Sequence, residues 1–457
     1  MKRKADLRVA IISDIHIGFT GHINPNYYGL GQQGSQEKWV EYALRWFKKK
    51  GVDVVVVPGD IANACAYFRT DITNEDCAYA EMRRFGEIFR EVFKGTDVEL
   101  VAIYGNHESG YGVLPKGVQA WEQLNGGTKT PWKDAFGEAY ARTVVKNIKG
   151  YTFVGAHWGY EKEAEKVIAE EAKKSPDNPV FYIQHNCIKD TTCDSYVCHT
   201  SENCEIINVI RDFDNVIALT GHTHCSITDE RTIWQSAEEN APKCTVISCS
   251  TFNYADCTGD LVRGENLLTK HALYLTVSGK EINVERLSFY TEEMLALAKG
   301  EKTKQNMRAC TKSAGKDWHF VLGGEKVMDF SLRAEKAKAP EFPNGAVAGL
   351  ARGDTTAVVF FPAAIPPKGE DILHSYYAEA WETSSGKLVS TGQISTEFHV
   401  DASSDYFSPY YQITLVNLQP NTEYIFKVYA RDCWQKQSEK PIIHKGRTLL
   451  KYEGRLR

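Results

Sequence analysis

A chain of 457 residues is too long for one ordinary hydrophobic core, so its length predicts two or three domains. It is 42% hydrophobic and 25% charged, and 54 basic side chains against 59 acidic ones leave a formal net charge of -5. Nothing in that balance calls for nucleic acid or an anionic membrane as an obligatory partner. The longest apolar runs are strand-length, well short of the roughly 20 residues that a transmembrane helix needs. The basic start Met1-Lys2-Arg3-Lys4 is not followed by a signal-peptide core. The expected location is therefore cytoplasmic by default, or secreted if a leader has been removed.

In chain order, Leu7 to Ser13 reads as a buried strand and Gln36 to Lys50 as a helix with Trp39, Val40, Ala43, Leu44 and Phe47 on one face. Val52 to Val57 is the next strand, Cys77 to Phe93 the next helix, and Glu99 to Tyr104 and Tyr151 to Ala156 are extended. Tyr160 to Lys174 is helical, and Pro179 to Gln184 and Val216 to Thr220 are extended. Such alternation implies a mostly parallel sheet covered by helices. After Thr245 hairpins take over, with His271 to Val277 and Glu281 to Phe289 joined by Ser278-Gly279-Lys280. A first domain is thus expected over 1–290, a Lys- and Ala-rich connector packing on it over 291–339, and an all-β domain over 340–457. In the last, Thr355 to Phe361, Ser375 to Thr383, Tyr410 to Leu415 and Tyr424 to Ala430 are strand-like. The segment Leu418-Gln419-Pro420-Asn421-Thr422-Glu423-Tyr424 resembles the late strands of a fibronectin type III sandwich.

Five polar clusters sit where predicted strands end: Ser13-Asp14-Ile15-His16, Pro58-Gly59-Asp60, Gly105-Asn106-His107-Glu108, Gln184-His185-Asn186 and Gly221-His222-Thr223-His224. Ligands of open α/β sheets collect outside the carboxyl ends of strands, so the five clusters can converge on one site. In Asp-x-His and His-x-His, the period of two on an extended chain sends both side chains the same way. Hydrolysis of a phosphoester needs charge neutralisation on the phosphoryl oxygens and a hydroxide at neutral pH. Two divalent ions about 3.5–4 Å apart supply both. Asp60, after flexible Gly59, is the natural bridging carboxylate. The mixed N/O donor set favours Mn, Fe, Zn, Co or Ni over Ca or a water-rich Mg site.

In order and residue type, these segments match the D-x-H, G-D, G-N-H-[DE], H, G-H-x-H pattern. The chain therefore resembles the calcineurin-like metallophosphoesterase family over roughly residues 7 to 255. The resemblance implies an αββα sandwich of metallophosphoesterase type over 1–290, followed by the fibronectin III-like sandwich, as in a bacterial-type branch. It implies that Asp14, His16, Asp60 and His224 hold one metal, and that Asp60, Asn106, His185 and His222 hold the second. His107 would contact the scissile phosphate and protonate the leaving oxygen, and Glu108 fills an acidic slot. The expected partner is a small phosphorylated substrate, a mono- or diester, attacked by a metal-bridging hydroxide. The alternative is a phosphate- or nucleotide-binding scaffold with a metal site but no turnover. The run Gly59-Asp60-Ile61-Ala62-Asn63-Ala64 departs from the Asp-Arg pair of serine/threonine protein phosphatases, and Asn63 stands where purple acid phosphatases need a tyrosine.

His157 ends a strand and is either a pocket residue or a packed histidine. The loop from Phe19 to Gln36 carries Tyr27 and Tyr28 beside the first motif and is a candidate substrate contact, as Asn106 is. Cys187, Cys193, Cys198 and Cys204 form a cluster between His185 and His222, read as bridges in an active-site loop or as reduced thiols, with zinc a more remote reading. Arg352-Gly353-Asp354 reads as a turn before a strand. Nothing identifies a protein partner for the β-sandwich.

Overall fold

The computed structural model describes residues 5–18, 36–64, 74–109, 131–193, 205–256, 265–266, 270–291, 309–366, 372–398 and 408–451. Tyr27, Tyr28, Cys198 and Cys204 lie outside the described residues. The chain separates into two compact units, the first extending to Phe330 and the second following from Ser331, together with a short piece at Thr228–Glu230.

The first unit begins with β1 (Leu7–Ile11), α1 (Gln36–Lys50), β2 (Val54–Val57), α2 (Asn74–Phe93), β3 (Glu99–Ala102) and α3 (Asn106–Ser109). Next come α4 (Pro131–Phe136), β4 (Thr143–Ile148), β5 (Tyr151–Ala156), α5 (Glu161–Lys174), β6 (Val180–Gln184), α6 (Ile207–Ile210) and β7 (Val216–Thr220). It closes with β8 (Ile233–Trp234), β9 (Thr245–Ser248), the short pair β10 (Ala255–Asp256) and β11 (Glu265–Asn266), β12 (His271–Ser278), β13 (Glu281–Thr291), β14 (Ala309–Ser313) and β15 (Trp318–Val321).

The alternation of strands and helices implied a mostly parallel sheet; the chain builds two mixed sheets, as the αββα sandwich implied by the family resemblance requires. The first has the order β14-β13-β12-β1-β2-β3, with β15 also on β13 and with β1, β2 and β3 parallel. The second has the order β4-β5-β6-β7-β9-β8, parallel from β5 to β9 and antiparallel at both edges. Two hairpins make the difference. The hairpin β4–β5 opens a new sheet, and β12–β13 returns the chain antiparallel beside β1. Part of the segment expected as a connector is sheet as well, because Ala309–Ser313 and Trp318–Val321 both pair with β13.

Both faces of the central strands are covered, which is why their sequences read as unbroken apolar runs. Val9, Ile11, Val54 and Val56 meet Phe153, Phe181, Ile183, Ile217 and Leu219 between the sheets. Ala10, Val55 and Val57 pack outward with Val40, Leu44 and Phe47 of α1 and with Met82 and Phe85 of α2. On the far side, Val154, Tyr182 and Ala218 pack with Ala164 and Ile168 of α5. The result is four layers, αββα. β1, β2 and β3 of one sheet and β6 and β7 of the other each end just before one of the polar clusters.

The second unit contains most of α7 (Phe330–Lys336), then β16 (Gly349–Arg352), β17 (Ala357–Pro362), β18 (Leu373–Glu382), β19 (Leu388–Ser395), β20 (Tyr410–Leu415), β21 (Glu423–Asp432) and β22 (Ile442–Arg447). They form a three-stranded sheet, β16-β17-β20, and a four-stranded sheet, β19-β18-β21-β22. The core between them is filled by Val359, Phe361, Tyr376, Ile413, Leu415, Tyr424 and Phe426. At the start of β21 the buried Tyr424 hydroxyl accepts the Gln419 N–H at 2.8 Å, the corner bond expected of such a sandwich. Arg352 lies in β16 rather than in a turn ahead of the strand. Tyr424→Phe keeps the ring and orphans that N–H. It should destabilise this unit by about 1–3 kcal/mol, read as a lower urea midpoint. An unchanged midpoint would remove the corner bond from the account.

Candidate metal centre

The polar clusters converge through backbone geometry more than through the strands themselves. β1 ends at Ile11 and β7 at Thr220, so neither Asp14 and His16 nor His222 and His224 stand on a pleated strand. The pairing expected from strand alternation comes instead from left-handed residues at alternate positions: Asp14 has φ 49°, His16 48°, His222 74° and His224 53°. Asp60 is left-handed too, at φ 49°. Such conformations strain a residue with a side chain and persist only where the surroundings enforce them. Here the Asp14 N–H donates to the Gly59 carbonyl at 3.2 Å and the His16 N–H to the Asp60 carbonyl at 3.0 Å, lacing the two loops together. Two glycines make room. A Cβ on Gly59 (φ 109°) would lie 2.5 Å from His185 Nδ1, and one on Gly105 would lie 2.6 Å from the Asp60 nitrogen.

Two groups of donor atoms result, and they share one residue. Asp14, His16, Asp60 and His224 form one, and Asp60, His185 and His222 form the other, with the donor atoms of each group within 4.8 Å of one another. Asp60 Oδ2 stands 3.2 Å from His185 Nε2 and 3.7 Å from His16 Nε2. Asn106 joins the second group, its Oδ1 lying 2.9 Å from His185 Nε2 and 2.8 Å from His222 Nδ1. In the first group, His224 Nε2 lies 3.2 Å from Asp14 Oδ1 and 3.0 Å from His16 Nε2. Behind the inward atoms, backbone carbonyls orient the rings. His185 Nδ1 faces the Pro58 carbonyl at 2.8 Å and His224 Nδ1 the Tyr254 carbonyl at 2.9 Å, which leaves each Nε2 aimed inward. Asp14 is steadied by the Ser13 hydroxyl at 2.5 Å and the His222 N–H at 3.0 Å.

The electrostatics fit a cation site. Burial disfavours the charged form of His185, yet the carboxylates of Asp60 and Asp14 outweigh it and push the ring up to about 10. Burial likewise opposes charge on His224, and Asp14 raises it nevertheless. Burial, seconded by repulsion from His185, takes His222 down to about 4, and burial with His107 lowers His16 well below the ordinary value. Burial also opposes ionisation of Asp60, but the His185 and His107 imidazoles hold it well below the usual carboxylate range. Positive charge is thus drawn to the places where ring nitrogens and oxygens converge. The N/O donor set suits divalent transition ions.

The remaining candidates fall in different places. His107 is half-buried at the edge of the cluster, its N–H on Asp60 Oδ1 at 2.9 Å and its Nδ1 2.7 Å from the Asn63 carbonyl. Glu108 is buried and clamps two loops, accepting the Ala62 and Gly105 N–H groups at 2.7 Å each. Burial and then Asp60 push its carboxyl up to about 8. His157 is not a pocket residue. It is fully buried, its Nδ1 accepts the Tyr104 N–H at 2.8 Å, and Tyr104, Trp132 and Tyr140 enclose its ring. Burial pushes it down to about 3. Cys187 is disulfide-bonded, and the Cys193 sulfur lies 3.4 Å from that of Cys225. Sequence reasoning gave no role to Ser13, Trp158 or Tyr254. The last acts on His224 through a backbone carbonyl and leaves no side-chain signature, while Trp158 stands in a motif read for its histidine.

Because His185 holds a proton in the ion-free protein and His224 is raised in the same direction, ion uptake should release protons at pH 7, and affinity should climb as pH rises toward 10. The raised His185 also stabilises the ion-free fold below its ordinary titration range, and that contribution disappears as pH rises through about 10. Calorimetry in buffers of different ionisation enthalpy measures the release. Heats independent of buffer would contradict it. Gly105→Ala should abolish ion binding by displacing Asp60, read as the metal content of the folded protein. Full occupancy would mean that Asp60 tolerates the added methyl.

A family model for calcineurin-like phosphoesterase matches residues 7–226. Among solved structures, the chain is similar to a purple acid phosphatase from yellow lupin (Lupinus luteus) seeds at 16% identity and TM-score 0.39. That match covers 67% of this chain and 53% of the other, so the chain spans about half of the lupin protein's length. It is also similar to a structure of PhoD at 11% identity, 71% and 72% coverage and TM-score 0.43. A third, FN3tt, shares 18% identity over 24% of this chain and 97% of its own, with a TM-score of 0.16. No curated protein matches. Residues 7–226, just under half of the chain, match the calcineurin-like phosphoesterase family and carry the buried cluster of aspartates and histidines, so the chain contains a phosphoesterase domain of that family, followed in sequence by a two-sheet β-sandwich.

Proposed function

We propose that the protein hydrolyses a small phosphomonoester or phosphodiester at two divalent transition ions, Mn, Fe or Zn being the best suited, and that His107 is the general acid. The observation that carries this reading is Asp60 Oδ2, poised between His16 of one donor group and His185 of the other. Asp14, His16, Asp60 and His224 would hold one ion, and Asp60, Asn106, His185 and His222 the other. When bound, such a pair neutralises phosphoryl oxygens and supplies a hydroxide nucleophile at neutral pH.

The chain's own side chains do the rest. Seven donor residues on tightly held loops just beyond the strands fix where the phosphoryl group sits, so little reorganisation accompanies reaction. His107 has its Nδ1 against the Asn63 carbonyl, so Nδ1 carries the hydrogen and Nε2 is left to hold a second proton for the departing oxygen. Its ring lies edge-on to His16 at 4.5 Å between centroids, at the margin of the first donor group. Glu108 holds the Asp60 and Asn106 loops in register without touching the reacting atoms.

The test is turnover of p-nitrophenyl phosphate and its bis ester by metal-depleted protein reloaded with Mn, Fe, Zn, Co or Ni. Activity with at least one ion is expected. Absence of turnover with every ion on both esters would leave a phosphate-binding scaffold as the account. His107→Ala should lower kcat by about 10²–10⁴-fold at unchanged metal content. The loss should be smaller for the nitrophenolate leaving group than for an alkoxide, which needs the proton more. Parental kcat on an alkyl ester would remove His107 as the acid.

A further inference from the structure

The described margin of the metal centre is made of rings. His107, Trp158, His222 and Tyr254 are half-buried, whereas Asp14, His16, Asp60, Asn106, His185 and His224 are buried. Two of the four, Trp158 and Tyr254, belong to neither donor group. They stand at opposite ends. The Trp158 centroid is 5.3 Å from that of His222 and 5.6 Å from that of His185, beside the second group. Tyr254 lies 4.3 Å from His224 and 5.7 Å from His16, beside the first.

Tyr254 has an evident duty through its carbonyl, which orients His224. Trp158 has none of that kind, since the Pro58 carbonyl already orients His185. The backbone that carries its ring is nevertheless held firmly. The Trp158 N–H donates to the Tyr104 carbonyl at 3.1 Å, one residue before Gly105-Asn106, and the Tyr160 N–H closes a turn on the His157 carbonyl at 2.9 Å through left-handed Gly159. Buried His157 anchors the start of that turn beneath Tyr104, Trp132 and Tyr140. The indole meets His185 at 62° and His222 at 54°, so it is stacked flat on neither. A partly open indole on a backbone fixed beside a phosphate site is a platform for a planar ring, because stacking draws on no hydrogen-bond pattern and loses little conformational freedom.

We propose that Trp158 stacks on the base of a nucleoside phosphate whose phosphoryl group occupies the metal centre, and so makes nucleotides the preferred substrate class. The inference rests on the phosphoesterase reading above for the position of the phosphate. A 5′-nucleotide carries its base one sugar away from its phosphate, which suits a ring standing one side chain beyond the imidazoles. Ribose 5-phosphate presents the same phosphate and sugar without the base, so the pair isolates the stacking.

The experiment measures AMP and ribose 5-phosphate as competitive inhibitors of whichever p-nitrophenyl ester the metal-loaded full chain turns over. AMP should bind about tenfold more tightly or better, in line with the worth of one base stacked on an aromatic ring. Trp158→Leu should bring the ratio of the two inhibition constants close to one, Trp158→Phe should restore part of it, and Tyr254→Leu should keep the preference. Metal content equal to the parent's shows that the variants are folded. Equal binding of the two ligands by the parent overturns the proposal, as does a preference that survives in Trp158→Leu or is lost only in Tyr254→Leu. If no ester is turned over, the phosphoesterase reading fails by itself. Quenching of tryptophan fluorescence by AMP in the metal-loaded protein then decides: quenching that Trp158→Leu abolishes supports the platform, and quenching that persists, or none in the parent, overturns it.

Discussion

One carboxylate has to reach imidazoles carried by two different sheets, and much of the architecture around it follows from that constraint. Asp60 leaves β2 of the first sheet and meets His16 from the same sheet and His185 from the second. The strand ends must therefore come closer than side chains on every residue would permit, and Gly59 and Gly105 lie where a Cβ would collide. The backbone must also turn sharply at Asp14, His16, Asp60, His222 and His224, all of them left-handed. Glu108 closes the frame from below by accepting one N–H from each of the loops that carry Asp60 and Asn106. The four-layer packing pins both sheets, and the strain is sustained because the surroundings allow no other path.

The donor set was legible in the sequence because the chemistry demands particular residue types, and those types stand together at the ends of apolar runs. The reason first given for their convergence was incomplete. A pleated strand would pair Asp14 with His16 by alternation, but the strand has ended at Ile11 and alternate left-handed residues do that work. Short apolar runs conceal sheet membership, so the division of strands between two sheets was not readable from composition. The strand at Thr143–Ile148, with only two buried side chains among its six, carries too weak a pattern to be found alone. The helix Gln36–Lys50 was read to its last residue, since its apolar stripe, acidic first turn and Lys48-Lys49-Lys50 end agree at every level. The identity of Tyr424 carried the corner of the sandwich, whereas the two strands between 309 and 321 lay hidden in a charged stretch.

His157 and Trp158 show how neighbours on one turn divide anchoring from exposure. The histidine, the more reactive type and the more tempting candidate, is walled in by three aromatic rings and held neutral. The tryptophan beside it reaches the edge of the cluster. A reading that ranks residues by chemical reactivity favours the first, whereas exposure and distance favour the second. The same logic separates Glu108, a buried acid with a structural task, from His107, a half-buried ring at the edge of the cluster.

The central claim is that Asp60 joins two ion positions into one centre. Loading metal-depleted protein with Mn(II) and recording its electron paramagnetic resonance spectrum, alongside elemental analysis, tests this most directly. Ions sharing a carboxylate at about 3.5–4 Å are expected to couple magnetically. The account predicts two manganese ions per chain with a spin-coupled signal in place of the six-line pattern of isolated ions. One ion per chain, or two that give only the uncoupled pattern, would contradict it.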